Sequence, residues 1–405
     1  MNNCLIGSML NNNALSFPHQ IALECDGTIL TWSELEHKAD RVARGLTRIG
    51  VKKGDHVAIW STNSVNYVVT FYALTKLGAV AVLVNFSWNE YEVMRALKDT
   101  DVSCLIFDSG YSKMSFIDIC RKEITHNGVE CKCEKLPVLK NIIYMGQDET
   151  DYVTLEDIAA LGSEAETSEE SSSDDTAVII FTSGTTSIPK GVMLSHASLL
   201  FNAEITAKAL RVNQNDRFCA ILPMFHCFAL VTNVLTGLTC GGSLIIPVKD
   251  EFKNLTQFIE ERGCTVLNAV PTMLIRQIAH NNFEDHSLST LRTGIIGGAL
   301  YSKEQYIEFC NRFQYESLLS SLGQTEATAA VTMVDYDDTL EVKATTVGKI
   351  IEGMEGKIID PVTGDELEIG NTGEICIRGI CVMKGYYGNE KLTNNVIDEE
   401  GWLHT

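Results

Sequence analysis

Short apolar runs rich in β-branched residues recur along the chain at His56–Trp60, Val80–Val84, Val102–Phe107, Ala177–Phe181, Phe218–Leu222 and Thr265–Ala269, separated by stretches of helical spacing. That alternation predicts an α/β architecture in which strands buried on both faces are layered with helices. Two longer apolar stretches need a separate reading. Phe218–Val248 runs for 31 residues without Asp, Glu, Lys or Arg, enough in length alone to cross a bilayer. Pro223, His226, Gly237, Gly241 and Gly242 break it into a loop, a helix and a turn before the apolar strand Ser243–Pro247, which suits a buried α/β interior. Tyr67–Phe86 carries Lys76 mid-span and reads as a core helix followed by the strand Val80–Val84. No integral membrane segment is predicted.

The polar pattern divides the chain. Glu164–Asp175 is a cluster of Glu, Ser and Asp without a large apolar residue, so it cannot bury enough surface to offset its ordering entropy and reads as a solvated linker. After about Thr345 the texture changes to short segments with turn signals at Asp360-Pro361, Thr363-Gly364 and Asn371-Thr372-Gly373, around the strand Glu374–Arg378. The expected organisation is a first α/β region over 1–175, a second over 176–344 and a small β-rich subdomain over 345–405. A chain of 405 residues with 45% hydrophobic content is consistent with two or three such units.

Composition narrows the partners. A formal net charge of -21 repels nucleic acid phosphates and anionic membrane surfaces. Thirteen cysteines without a repeating spacing do not form a disulfide framework, and the N-terminus lacks the zones of a signal peptide, so a reducing cytoplasm is the expected compartment. Cys120, His126, Cys131 and Cys133 lack the paired Cys-x-x-Cys spacing of structural zinc and read as incidental residues of a surface insertion.

The chemistry centres on Thr182–Gly191 (Thr-Ser-Gly-Thr-Thr-Ser-Ile-Pro-Lys-Gly). Its composition alone would suit a flexible linker. The buried strand Ala177–Phe181 enters it, however, and Val192–Leu194 leaves as another, with Ser195 placed to cap a helix beginning at His196. In such a loop backbone N–H groups can approach phosphate oxygens, the hydroxyls of Thr182, Ser183, Thr185 and Thr186 add donors, Gly184 gives room, and Lys190 supplies a mobile positive charge. It is not a Walker A loop, because no Ser or Thr follows the lysine and a strand rather than a helix comes next.

This loop resembles the signature of the adenylate-forming superfamily of acyl- and aryl-CoA ligases, luciferases and peptide-synthetase adenylation domains. Leu30–Leu35, Pro223–His226, Gly297–Ala299 and Gly323–Glu326 resemble further family motifs in order and spacing, as do Gly373–Gly379, Val382–Tyr386 and Gly401–Thr405. The resemblance implies a layered αβαβα large domain of two similar α/β subdomains with a small β-barrel-like subdomain. It implies attack of a carboxylate on the α-phosphorus of MgATP, giving acyl-AMP and pyrophosphate, then transfer of the acyl group to coenzyme A. By the same resemblance Thr182, Lys190, Thr325 and Glu326 are catalytic, Glu326 binds Mg²⁺, and Thr182–Thr186 and Lys190 grip the phosphates. Gly298, Ala299, Leu322, Gly323, Gln324 and Thr325 complete the ATP site, while His226, Val270 and Gly297 face the acyl substrate. A histidine in an uncharged stretch is equally a satisfied core residue, so His226 carries both readings.

Amino-acid adenylation domains carry an Asp near the position of Phe225-His226-Cys227-Phe228. Its absence here leads to the expectation of an uncharged tail, a medium- or long-chain fatty acid, with loading of an acyl carrier protein or non-catalytic nucleotide binding as alternatives. Three departures from the family pattern enter the expectation. The sequence stops before the family's Gly-Asp and C-terminal lid, so weak turnover by this segment alone is expected. Leu322 stands where an aromatic ring is usual, and Ser187 replaces a glycine.

Overall fold

A computed structural model describes residues 4–162, 171–182, 189–248, 253–280 and 283–405. It is mixed α/β with several sheets, as the alternation of elements predicts. The chain divides into two units, the first comprising Met1–Ala197 with Pro223–His226 and the second Ser198–Leu222 with Cys227–Thr405.

The first unit is built on parallel strands. Thr176–Thr182, Val80–Leu83, His56–Trp60, Cys104–Phe107 and Asn141–Tyr144 lie side by side in that order, all parallel, and Lys190–Ser195 pairs antiparallel with the first of them. Their runs of Val, Ile and Ala are almost wholly buried, which is why the sequence shows no polar alternation. The helix Val65–Leu77 is apolar nearly all round and ends on Gly78 at φ +78°; the amphipathic helix Trp32–Arg48 packs on it, opened by a capping box between Thr31 and Glu34. Lys76, anomalous for a core helix, reaches Glu36 and lies 3.3 Å from Asp40. A buried lysine needs such partners. Of the linker predicted over Glu164–Asp175, the part up to residue 170 lies outside the described residues. Beyond it Asp175 caps Ser172, with a 2.8 Å bond from the Ser172 N–H, and pairs with Lys53 at 3.0 Å.

The second unit repeats the theme. Arg217–Cys219 pairs in parallel with Ser243–Ile246, and bridges through Val266 and Ala269 join it to Thr293–Ile296, which pairs in parallel with Ser317–Gln324. Thr265–Ala269, predicted as a strand, is held by these isolated bridges. Ala329–Met333 and Lys349–Ile350 add antiparallel strands. A three-stranded antiparallel sheet follows from Met354–Ile359, Glu374–Gly379 and Leu403–His404. The uncharged stretch forms a loop, then a helical segment whose middle, Leu230–Leu235, is wound as a π-helix and fully buried, and Gly241 turns the chain at φ +73° into Ser243–Ile246. No helix among the described residues is long and apolar enough to cross a membrane. All thirteen cysteines are free thiols.

Candidate active site

In open α/β sheets ligands bind beyond the carboxyl ends of the parallel strands. In both units described candidate residues lie at those ends, Thr182 in the first and Gly297 and Gln324 in the second.

In the first unit Thr182 ends the strand Thr176–Thr182 and sits directly opposite Lys190, the last pair of the hairpin ladder. The two residues therefore form the neck of the loop between them. Ser183, Gly184, Thr185, Thr186 and Ser187 lie outside the described residues. Pro223–His226 crosses the same edge: the Met224 N–H donates to Asn63 Oδ1 at 2.9 Å, and Phe225 packs edge-on to Phe86, just beyond Val80–Leu83, at 5.0 Å between ring centres. The His226 ring lies 4.2 Å from that of Phe225 and is solvent-accessible, which places it at a surface and not in the core. Neighbouring protein still displaces enough water to lower its pKa, so it is neutral at pH 7.

In the second unit the loop after Thr293–Ile296 carries Gly297, buried, then Gly298 and Ala299, exposed. A Cβ on Gly297 would lie 2.8 Å from the Ser321 carbonyl oxygen, and Gly298 has φ +78° with Val270 Cγ1 3.3 Å from where its Cβ would be. Those contacts bring together Gly297, Gly298 and Val270, which caps the helix Pro271–Ile278. On the neighbouring strand Leu322 is 37% exposed, and the ladder shifts register between Leu322 and Gly323. Only glycine fits at 323, since a Cβ there would meet the Ala329 carbonyl oxygen at 2.1 Å.

Gln324 leads into a single 3-10 turn, Thr325–Ala327, followed by two non-glycine residues at positive φ, Thr328 at +55° and Ala329 at +79°. Such conformations cost on the order of 1–3 kcal/mol each and need support from around them. Thr328 Oγ1 donates to the Cys381 carbonyl at 2.7 Å, and Asn202 donates to the Ala330 carbonyl at 2.8 Å and accepts from the Ala330 N–H at 3.3 Å. The Glu326 carbonyl accepts from the Met383 N–H at 2.8 Å, and its carboxylate oxygen Oε1 accepts from the Tyr386 hydroxyl at 2.8 Å. Burial and the Glu326 charge both push the Tyr386 phenol upward, so it stays a donor. The Cys227 thiol is 3.4 Å from Thr325 Oγ1, and burial raises its pKa, keeping the thiol neutral beside the carboxylate.

The second unit thus gathers Val270, Gly297 and Gly298, and beside them the run Leu322–Glu326. Tyr386, Asn202, Thr328 and Cys227 escaped the site assignment from sequence. Tyr386 was within reach, as the last residue of the Val382–Tyr386 motif, whereas Asn202 lies in an ordinary helical pattern with no sequence signal.

Comparison with known proteins converges on one family. The family model described as AMP-binding enzyme matches residues 10–387. "Putative acyl-CoA synthetase YngI" of Bacillus subtilis (strain 168) is 35% identical over 99% of this chain and 75% of its own length. "Medium-chain acyl-CoA ligase ACSF2, mitochondrial" of Bos taurus is 31% identical over 100% of this chain and 69% of its own. Among solved structures, ATP-bound MatB from Rhodopseudomonas palustris superposes with a TM-score of 0.84 at 26% identity, covering 100% of this chain and 75% of that one.

Proposed function

The chain belongs to the AMP-binding enzyme family and is an acid–thiol ligase by kind; from that premise we propose that it activates an uncharged medium- or long-chain fatty acid as acyl-AMP and passes the acyl group to coenzyme A. The observation that carries the reading is the turn Thr325–Ala329. A strained backbone, a hydroxyl and a carboxylate are held in place by Tyr386, Met383, Asn202 and Cys381. Strain of this kind persists where function requires a fixed geometry.

A carboxylate substrate needs no general base, so the protein's task is alignment and neutralisation of charge. Lys190 and Thr182, fixed as the closing pair of a hairpin, serve the phosphates, each charge-assisted hydrogen bond contributing roughly 1.5–3 kcal/mol. The Glu326 carboxylate is a hard oxygen donor whose Oε1 is oriented by Tyr386, a set that fits Mg²⁺. The ion would neutralise negative charge on the phosphates. Thr325 donates its hydroxyl to the α-phosphate, and Gly298 and Ala299 present an open backbone to adenine. Neutral His226, next to Phe225 and in a segment without a carboxylate, suits an acyl tail and the approaching thiol of coenzyme A. It disfavours a substrate with an α-ammonium group.

Acid-dependent ATP–pyrophosphate exchange by the full-length protein, over straight-chain acids of increasing length, benzoate and amino acids, tests the substrate class. Exchange is expected with fatty acids of middle length or longer. Exchange confined to amino acids, or absent with every acid, overturns the reading.

A further inference from the structure

On one face of the three-stranded sheet, three side chains of different chemistry converge. Glu374 and Cys376 are two residues apart on the strand Glu374–Gly379, so both point to the same side, and His404 on the neighbouring strand is the direct antiparallel partner of Cys376. Cys376 Sγ lies 3.5 Å from His404 Nδ1, which lies 3.5 Å from Glu374 Oε2, and the three atoms are all within 4.8 Å of one another. Among the described residues this is the one grouping of three such ligands.

Those separations are close to what one ion would impose. With bonds of about 2.0–2.3 Å to nitrogen, oxygen and thiolate, neighbouring ligands of a tetrahedral zinc lie roughly 3.3–3.8 Å apart. The other ring nitrogen is also provided for. His404 Nε2 lies 3.4 Å from Asp398 Oδ2, while Asp398 Oδ1 is held by the N–H groups of Glu400 and Trp402, each at 2.9 Å. With an ion bound at Nδ1, Asp398 would accept the proton on Nε2, the arrangement by which histidine ligands are oriented. Lys357, directly opposite Cys376, has its ammonium over the Trp402 ring at 4.3 Å from its centre. Arg378, on the same face, is bonded to Glu355.

We propose that Glu374, Cys376 and His404 form a three-ligand site for a thiophilic divalent cation, Zn²⁺ in the first place, with Asp398 orienting the histidine. The donors are one sulfur, one nitrogen and one oxygen, a set that selects Zn²⁺ over Mg²⁺ or Ca²⁺. Cys376 is fully buried, whereas Glu374 and His404 are 26% and 32% exposed, so a fourth position can be taken by water. Binding releases the thiol proton. The ion ties the two-residue strand Leu403–His404 to a strand 28 residues earlier in the chain.

The test is calorimetric titration of the reduced, nucleotide-free protein with ZnCl₂ in magnesium-free buffer, with Co²⁺ as a spectroscopic probe. One equivalent of Zn²⁺ is expected, together with a thiolate-to-cobalt charge-transfer band. Cys376→Ser and His404→Gln should each weaken binding more than tenfold and abolish or shift the band, Asp398→Asn should weaken it roughly 10–100-fold, and Cys120→Ser should change neither. If Cys376→Ser proves unfolded, the partly exposed Glu374→Gln and His404→Gln decide. Absence of stoichiometric binding, or binding undiminished in Glu374→Gln and His404→Gln, overturns the proposal.

Discussion

The hairpin neck at Thr182 and Lys190 and the turn at Thr325–Ala329 offer similar groups, a hydroxyl beside a charged side chain, yet they are held by opposite means. The neck is local: two adjacent strands fix it through a ladder that is continuous from Val178–Leu194 to Thr182–Lys190. The turn is assembled from a distance. Its supports come from Asn202, Cys381, Met383 and Tyr386, and its own backbone contributes strain. A ladder between adjacent strands sets where the Thr182 and Lys190 backbones sit, whereas contacts from distant residues fix a carboxylate in one place. The proposed chemistry uses one group of each kind.

The largest effect that would break this comparison is expected from removing the fixed carboxylate. Glu326→Ala should lower pyrophosphate exchange by roughly 10²–10³-fold, the size of losing one preorganised stabilising group, with thermal stability little changed; exchange at the unaltered rate removes Glu326 from the site. Next in size is an effect on the frame that follows the hairpin. His196, 1% exposed, accepts a hydrogen bond at Nδ1 from the Ile6 N–H at 3.4 Å, and burial lowers its pKa from 6.5 to about 4 despite nearby Asp175. Because the folded state resists a proton that the unfolded chain accepts, stability should be full above about pH 6.5 and fall as pH drops toward about 4, by roughly 3 kcal/mol in all. Urea unfolding of His196→Gln across that range should show a flatter acid limb, and an unchanged limb would contradict the assignment.

Smaller effects sharpen the comparison. Tyr386→Phe removes one hydrogen bond to the carboxylate and should cost about tenfold in exchange, with a raised Mg²⁺ requirement as the mark of a positioning residue. An equal loss at every Mg²⁺ concentration would point to a general structural role. Leu322→Tyr places an aromatic ring on the exposed strand position and should tighten nucleotide binding by about two- to tenfold. Weaker binding would mean that the position is not beside the base.

The same contrast explains what could be read from the chain alone. The strands His56–Trp60 and Thr176–Thr182 and the helix after Ser195 were legible, because apolar runs and caps are local signals. The segment Gly323–Glu326 was legible as a compact motif, while the roles of its residues belong to the proposed function. The π-helix Leu230–Leu235 was not, since an apolar stretch looks alike in either winding. Thr265–Ala269 reads as a strand by composition but is held by isolated bridges, a choice made by its neighbours. The Asn202 contact with Ala330 spans 128 residues, and no sequence spacing announces it. His404 and Cys376 are neighbours through sheet register, which no spacing of cysteines along the chain reveals.

The central claim, that the loop closed by Thr182 and Lys190 grips a triphosphate, is tested most directly by calorimetric titration of the protein and its Lys190→Ala variant with MgATP. The account predicts saturable binding by the unaltered protein and at least tenfold weaker binding by the variant, both folded by circular dichroism. Equal affinities, or no binding by the unaltered protein, would contradict it.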